Sequence, residues 1–249
     1  MRHEEIQRIN KDHYFISRRH MGSVKSLIGS VDVIVFFVND SQSVWTERDK
    51  AKYKASQKAA MKYILWKARE RGIPLQIRNA YVDATLRMVC TPDNYQDWTN
   101  AIIRKYGASD IFTYQHKHEF VKQCTEAPIL FVLNKPFRSS ALSVDWHARM
   151  YGELAIISSQ CTEHTIAHEL LHQFGAMDLY YPPEVKKLVD RMNYTSIMDS
   201  HSMHIDDLTA YLIGWSEEID ATTVQFLEKT KHLTREYMFE ATRREYQNT

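Results

Sequence analysis

With three cysteines in 249 residues, an odd number at wide spacing and no CxxC pair, the chain excludes a disulfide framework and a cysteine-built zinc knot. Cys90, Cys124 and Cys161 fit free thiols in a reducing compartment. Charge of one sign is also missing: 32 Lys and Arg stand against 31 Asp and Glu, for a formal net charge of +1. Nothing in that balance suggests nucleic acid or a membrane surface as a partner. The start, MRHEEIQRINKDHYFISRRHMGS, has neither the apolar segment nor the small-residue cleavage site of a secretory signal, so a cytoplasmic location is expected. Long hydrophobic runs are absent. The run over 31–38 has about half the length that a membrane-spanning helix needs and contains Asp32, so it reads as a buried strand. No repeat, low-complexity tract or Pro/Gly/Ser linker divides the chain. A single domain follows, with enough length to bury a full core.

What is present is an alternation of strand-like and helix-like stretches. VDVIVFFVND has the β-branched and aromatic content of a central strand, and Asn39, Asp40 and Ser41 supply turn and capping residues after it. A helix is predicted over 46–71, with Tyr53, Ala60, Tyr63, Ile64 and Trp66 as its apolar stripe and Gly72 with Pro74 ending it. PLQIRNAYVDATL reads as a strand, and DNYQDWTNAIIRKYG as a helix with Asp93 or Asn94 near its cap and Gly107 at its end. PILFVLNK and ELAIISS give two more strands. Between them FRSSALSVDW alternates polar and apolar residues, the pattern of a half-exposed edge strand. The fold class predicted is α/β, a twisted mixed sheet packed with helices and followed by a smaller helical C-terminal part. The expected organisation is an N-terminal extension over 1–30, a sheet-bearing part over 31–178 and C-terminal helices over 179–249.

The chemistry concentrates in HELLHQFGAMD, residues 168–178. On a helix, His168 and His172 stand one turn apart on one face with Glu169 beside them. Ile166, Leu170 and Phe174 stack on the opposite side. Two neutral imidazoles at i and i+4 can reach one Zn²⁺, and a catalytic site takes a third protein ligand and leaves a fourth position to water. Glu169 is placed to accept a proton from that water. Gly175 sits where the helix must stop, because glycine adopts positive φ without steric cost, and the chain can then turn back to present Asp178. Chance alone gives HExxH with Gly175 and Asp178 at these offsets in on the order of 10⁻⁴ of such chains.

This extended pattern, HExxHxxGxxD, resembles the metzincin clan of zinc peptidases in its variant with aspartate as third ligand, the snapalysin-like and immune-inhibitor-A-like peptidases. Ser196-Ile197-Met198-Asp199 resembles the tight Met-turn that metzincins place beneath the metal. The resemblance runs over roughly residues 31–215 and implies one Zn²⁺ per chain, held by His168, His172 and Asp178, with Glu169 as general base. It also implies a peptide or protein substrate laid along FRSSALSVDW. Other carboxylates and histidines within reach along the chain are Glu184, Asp199 and His201. Asp178 is preferred because one turn after Gly175 brings it back, whereas Pro182-Pro183 should carry Glu184 outward in an extended path.

Departures from the family pattern are specific. Ser200 stands where several metzincin families have a tyrosine, and Tyr180, Tyr181, His201 and His204 are candidates to replace it. His164 extends the i, i+4 series upstream, too far back to join the same ion easily, and reads as a support behind the ligands or as part of the helix start. Cys161 reads as a buried free cysteine rather than a latency thiol. After the Met-turn-like segment, Ile205, Leu208, Leu212 and Trp215 fall at the spacing of a core helix. The tail LTREYMFEATRREYQ reads as a solvated helix. A zinc endopeptidase is therefore the leading expectation. The alternatives are a catalytically silent zinc-binding adaptor and a non-peptidase zinc amidohydrolase such as a deformylase, whose Glu-Gly-Cys-Leu-Ser motif is absent here. The sequence carries no mark of oligomeric state.

Overall fold

A computed structural model of the chain describes residues 6, 12–142, 153–199, 202–234 and 236–237. Ser143 to Trp146 of the expected edge strand, Ser200, His201 and most of the expected tail helix lie outside them. The chain forms two compact units, one of residues 22–174 and one of residues 1–21 with 175–249. No helix among the described residues is long and apolar enough to cross a membrane.

The first unit is an α/β sandwich. Its five-stranded sheet has the order β2-β1-β3-β5-β4, with β1 at Gly29–Asn39, β2 at Leu75–Thr85, β3 at Ile129–Leu133, β4 at Ser140–Leu142 and β5 at Leu154–Ser158. All pairs are parallel except β4 with β5, which is antiparallel at the sheet edge. The mixed sheet and the polar edge strand expected from the sequence are thus present. Because successive strand residues face opposite sides, β1 serves both layers at once. Ile34, Phe36 and Val38 face one core together with Trp98, Ile102 and Ile103. Phe37 faces the other, meeting Trp45 and Tyr53.

Helix α1 (Glu47–Glu70) matches its expected bounds. Asp40 anchors the turn before it by accepting from the Gln42 and Ser43 amides at 2.9 and 2.7 Å, and Thr46 caps it by accepting from the Asp49 amide. Its buried stripe, however, is Tyr53, Gln57, Ala60, Met61, Ile64 and Ala68. Trp66 is 52% exposed, with the Lys67 ammonium over its ring. Positions 53, 57, 60, 64 and 68 keep one helical face to the sheet, and 63 and 66 fall off it. Helix α2 (Tyr95–Lys105) also lies where expected. Helix α3 (Ile111–Lys122) was not expected. Asp110 caps it by accepting from the Thr113 amide, and its exposed face carries Phe112, Phe120 and Val121, so apolar residues mark no single side. Helix α4 (Glu163–Gln173) packs against α1, β4 and β5.

The second unit is helical, with α5 (Pro183–Arg191), α6 (Asp207–Leu212) and α7 (Ala221–Lys229). Residues 12–21 belong to it. Phe15 packs against Phe226 with ring centroids 5.4 Å apart, and Arg19 donates to the Tyr211 and Ser216 carbonyls at 2.7 Å each. The extended path expected after Pro182-Pro183 is corrected. Pro183 opens α5, where its missing N–H would have no intrahelical partner in any case and its φ suits a helix. Glu184 thus lies in a helical first turn. Helix α6 carries the core residues expected of it, with Leu208 and Leu212 buried.

Candidate metal centre

Strand β5 delivers the chain to the site. Its five residues are buried, and its last, Ser158, donates to the Lys135 carbonyl and accepts from the Gln160 amide. Thr162 then starts α4 by accepting from the Thr165 amide at 3.3 Å. Glu163 in the first turn and His172 in the last suit the helix dipole, whose C-terminal end favours a cation. The helix is pinned at its far end as well, where the Gln173 side-chain oxygen accepts from the Ile129 amide at 3.0 Å. Sequence reasoning did not single out Gln173. Its only signal there is a glutamine among apolar neighbours.

On this helix the two histidines converge. The Nε2 atoms of His168 and His172 lie 3.0 Å apart, and the rings meet edge-to-face with centroids at 4.6 Å. Two nitrogens bound tetrahedrally to one zinc at about 2.0–2.1 Å stand roughly 3.3 Å apart, so the pair has the spacing of cis ligands on a single ion. Glu169 belongs to the same group, with one donor atom of each residue within 4.8 Å of the others. His168 and Glu169 are buried, at 7% and 6% exposed, and His172 is half-buried. Ile166, Leu170 and Phe174 are buried as well. The residues present therefore fit a zinc-class ion: paired imidazoles with a carboxylate beside them. His164 stacks on His168 at 6.1 Å. Burial, with the Glu169 charge adding to it, pushes the Cys161 thiol up to about 12, which makes it an inert group rather than a nucleophile.

The other part of the motif lies in the second unit. Gly175 has φ +97°, and a Cβ there would come 2.7 Å from the Arg18 carbonyl oxygen. Both facts require glycine. Asp178 follows on a half-buried stretch, and its neighbour Leu179 donates its amide to the Met198 carbonyl at 2.9 Å. Asp178 is thereby held beside the Met198 turn. That turn is braced from within: Ser196 Oγ accepts from the Met198 amide and donates to Asp206. Asp206 in turn caps α6 through the Thr209 amide and accepts from Tyr194. Ile197 and Met198 are fully buried. The structure thus brings His168, Glu169 and His172 together, and it ties Asp178 to the Met198 turn.

No family model matches the chain, and no curated protein matches it in sequence. Among solved structures, the crystal structure of metalloproteinase-II from Bacteroides fragilis matches with a TM-score of 0.37 and 12% identity, over 70% of this chain and 51% of that one. The chain spans about half the length of that structure, and a likeness this weak bears on neither substrate nor mechanism.

Proposed function

We propose that the chain is a zinc-dependent endopeptidase of the metzincin kind, with His168, His172 and Asp178 as metal ligands and Glu169 as general base. The observation that carries this reading is the convergence of the two histidine Nε2 atoms, 3.0 Å apart with Glu169 in the same group. When bound there, Zn²⁺ supplies Lewis acidity toward a peptide carbonyl and toward water. The protein's own part is to hold and move one proton. Glu169, next in sequence to His168, takes it from the attacking water and returns it to the leaving amine nitrogen, so no covalent acyl-enzyme is needed. Enclosure of the carboxylate strengthens its interactions with the charges that develop during the reaction. Asp178 is assigned as third ligand from its spacing along the chain: ten residues after His168 and three after the obligatory turn at Gly175. A peptide strand is the substrate class proposed.

The testing experiment is mass-spectrometric profiling of cleavage products from a proteome-derived peptide library, with Glu169→Gln as the blank. Cleavage that vanishes in the blank supports the reading. Zinc bound with no cleavage across the library points instead to a silent metal-binding adaptor.

A further inference from the structure

We infer that Asp32, His118 and Cys124 form a second cation site, for a divalent transition ion of the zinc class, on the face of the sheet opposite α4. Three elements deliver these residues to one point: β1 carries Asp32, α3 carries His118, and Cys124 follows the end of α3. One donor atom of each lies within 4.8 Å of the other two. His118 Nε2 is 3.1 Å from Asp32 Oδ2, a spacing that serves a hydrogen bond and a pair of cis ligands alike.

The positioning is specific. Asp32 is a carboxylate inside an otherwise apolar central strand, its side chain 7% exposed, and the His118 side chain is 12% exposed. Arg78, directly opposite Asp32 on β2, holds the other carboxylate oxygen at 2.6 Å. Ligating carboxylates are commonly oriented in this way, by a hydrogen bond to the oxygen that does not face the metal. Gln123 ends α3 in the left-handed region at φ +52°, a conformation that disfavours residues other than glycine. It turns the chain so that Cys124 lies beside His118, and the next residue, Thr125, is fixed by its amide to the Ser30 carbonyl at 2.6 Å.

Donor chemistry selects the ion. Sulfur, imidazole nitrogen and one carboxylate oxygen suit zinc-class ions and not the oxygen-seeking Mg²⁺ or Ca²⁺. Three protein ligands leave the fourth position to water. One helical turn before His118, on the same side of α3, Gln115 is 1% exposed and both its amide atoms are buried with no hydrogen-bond partner among the described residues. Buried amides are normally bonded, and a water ligand is a group that such an amide can hold.

This site is independent of the HExxH histidines. Asp32 has the same strand parity as Ile34 and Phe36, which face α2 and α3, whereas Phe37 faces α1, the helix against which α4 packs. The sheet separates the two. The sequence signals were the lone carboxylate in the apolar run of β1 and a cysteine six residues after a histidine.

The test uses the full chain carrying His168→Ala and His172→Ala, stripped with chelator under reducing conditions and titrated with Co²⁺. About one equivalent should bind, raise the melting temperature and give a thiolate-to-cobalt charge-transfer band, and adding Cys124→Ser should abolish all three. No bound cobalt, or a band that survives Cys124→Ser, overturns the inference. Should the double-histidine variant not fold, the natural chain and its Cys124→Ser and His118→Ala single variants serve instead. A thiolate band lost in both supports the site, and a natural chain without the band overturns it.

Discussion

His168 and His172 are four residues apart on α4, and their Nε2 atoms meet at 3.0 Å. One helical turn separates their Cα atoms by about 6 Å, so both side chains must bend toward a common point. Two neutral imidazoles can share one N–H···N hydrogen bond at this distance, and a cation bound to both nitrogens satisfies the pair equally well.

Glu169→Gln should keep metal and fold while lowering turnover by about 10²–10⁴-fold, since an amide of the same shape cannot accept a proton. Peptide hydrolysis measured beside metal content checks this. A variant that retains most of its activity places the base elsewhere.

Gly175→Ala should destabilise the chain by about 2–3 kcal/mol, combining the positive-φ penalty with a clash against the backbone oxygen of Arg18. Urea melts read the loss. Gly72→Ala is the comparison, because φ there is also positive but nothing lies within 4 Å of the added Cβ, so only the conformational share of the cost, about 1 kcal/mol, should appear.

Ser196→Ala should cost about 1–3 kcal/mol, because it leaves the buried Met198 amide without its Ser196 acceptor and removes one donor from Asp206, which keeps those from Tyr194 and Thr209. Chemical denaturation reads the stability. A loss of metal affinity without unfolding would indicate that the braced Met198 turn also supports Asp178.

His13 makes folding sensitive to acid. It is fully buried, and burial, offset in part by a hydrogen bond to the Leu227 carbonyl and reinforced by His232, lowers its pKa to about 4. Its Nδ1 accepts from the Phe15 amide, a bond that protonation removes. The unfolded chain binds this proton near pH 6.5 and the folded chain only near 4, so the contribution to stability is complete above about 6.5 and is lost as pH falls toward 4. The full difference is on the order of 3 kcal/mol. Urea melts at pH 7.5 and 5 should show the loss, and His13→Gln should flatten it. An equal slope in both proteins would contradict this assignment.

Where local signals agreed, the sequence was readable. The central strand, the bounds of α1 between Thr46 and Arg71, and the edge strand at Ser140–Leu142 follow from side-chain type, capping and alternation. So does α4 with its paired histidines. Other features depended on packing that no window of sequence contains. Helix α3 buries few residues and exposes Phe120 and Val121, so periodicity gave no face to recognise. Trp66 was assigned inward on hydrophobicity, but the turn of α1 sends it out. Pro182-Pro183 signalled an extended path, yet the second proline opens a helix. The contacts of residues 12–21 with α6 and α7 join segments some 190 residues apart and have no local signature. At the candidate site, the i, i+4 histidines were legible because helix geometry alone brings them together. The Asp32, His118 and Cys124 group was not, because the sheet and α3 must both form before those residues meet.

The central claim, that the HELLHQFGAMD histidines hold a metal, is tested most directly by elemental analysis of the full chain purified without added metal, beside the same chain carrying His168→Ala and His172→Ala. The account predicts that the variant holds about one zinc equivalent fewer than the natural chain while its circular dichroism is unchanged. Equal zinc in two folded proteins, or none in either, would contradict it.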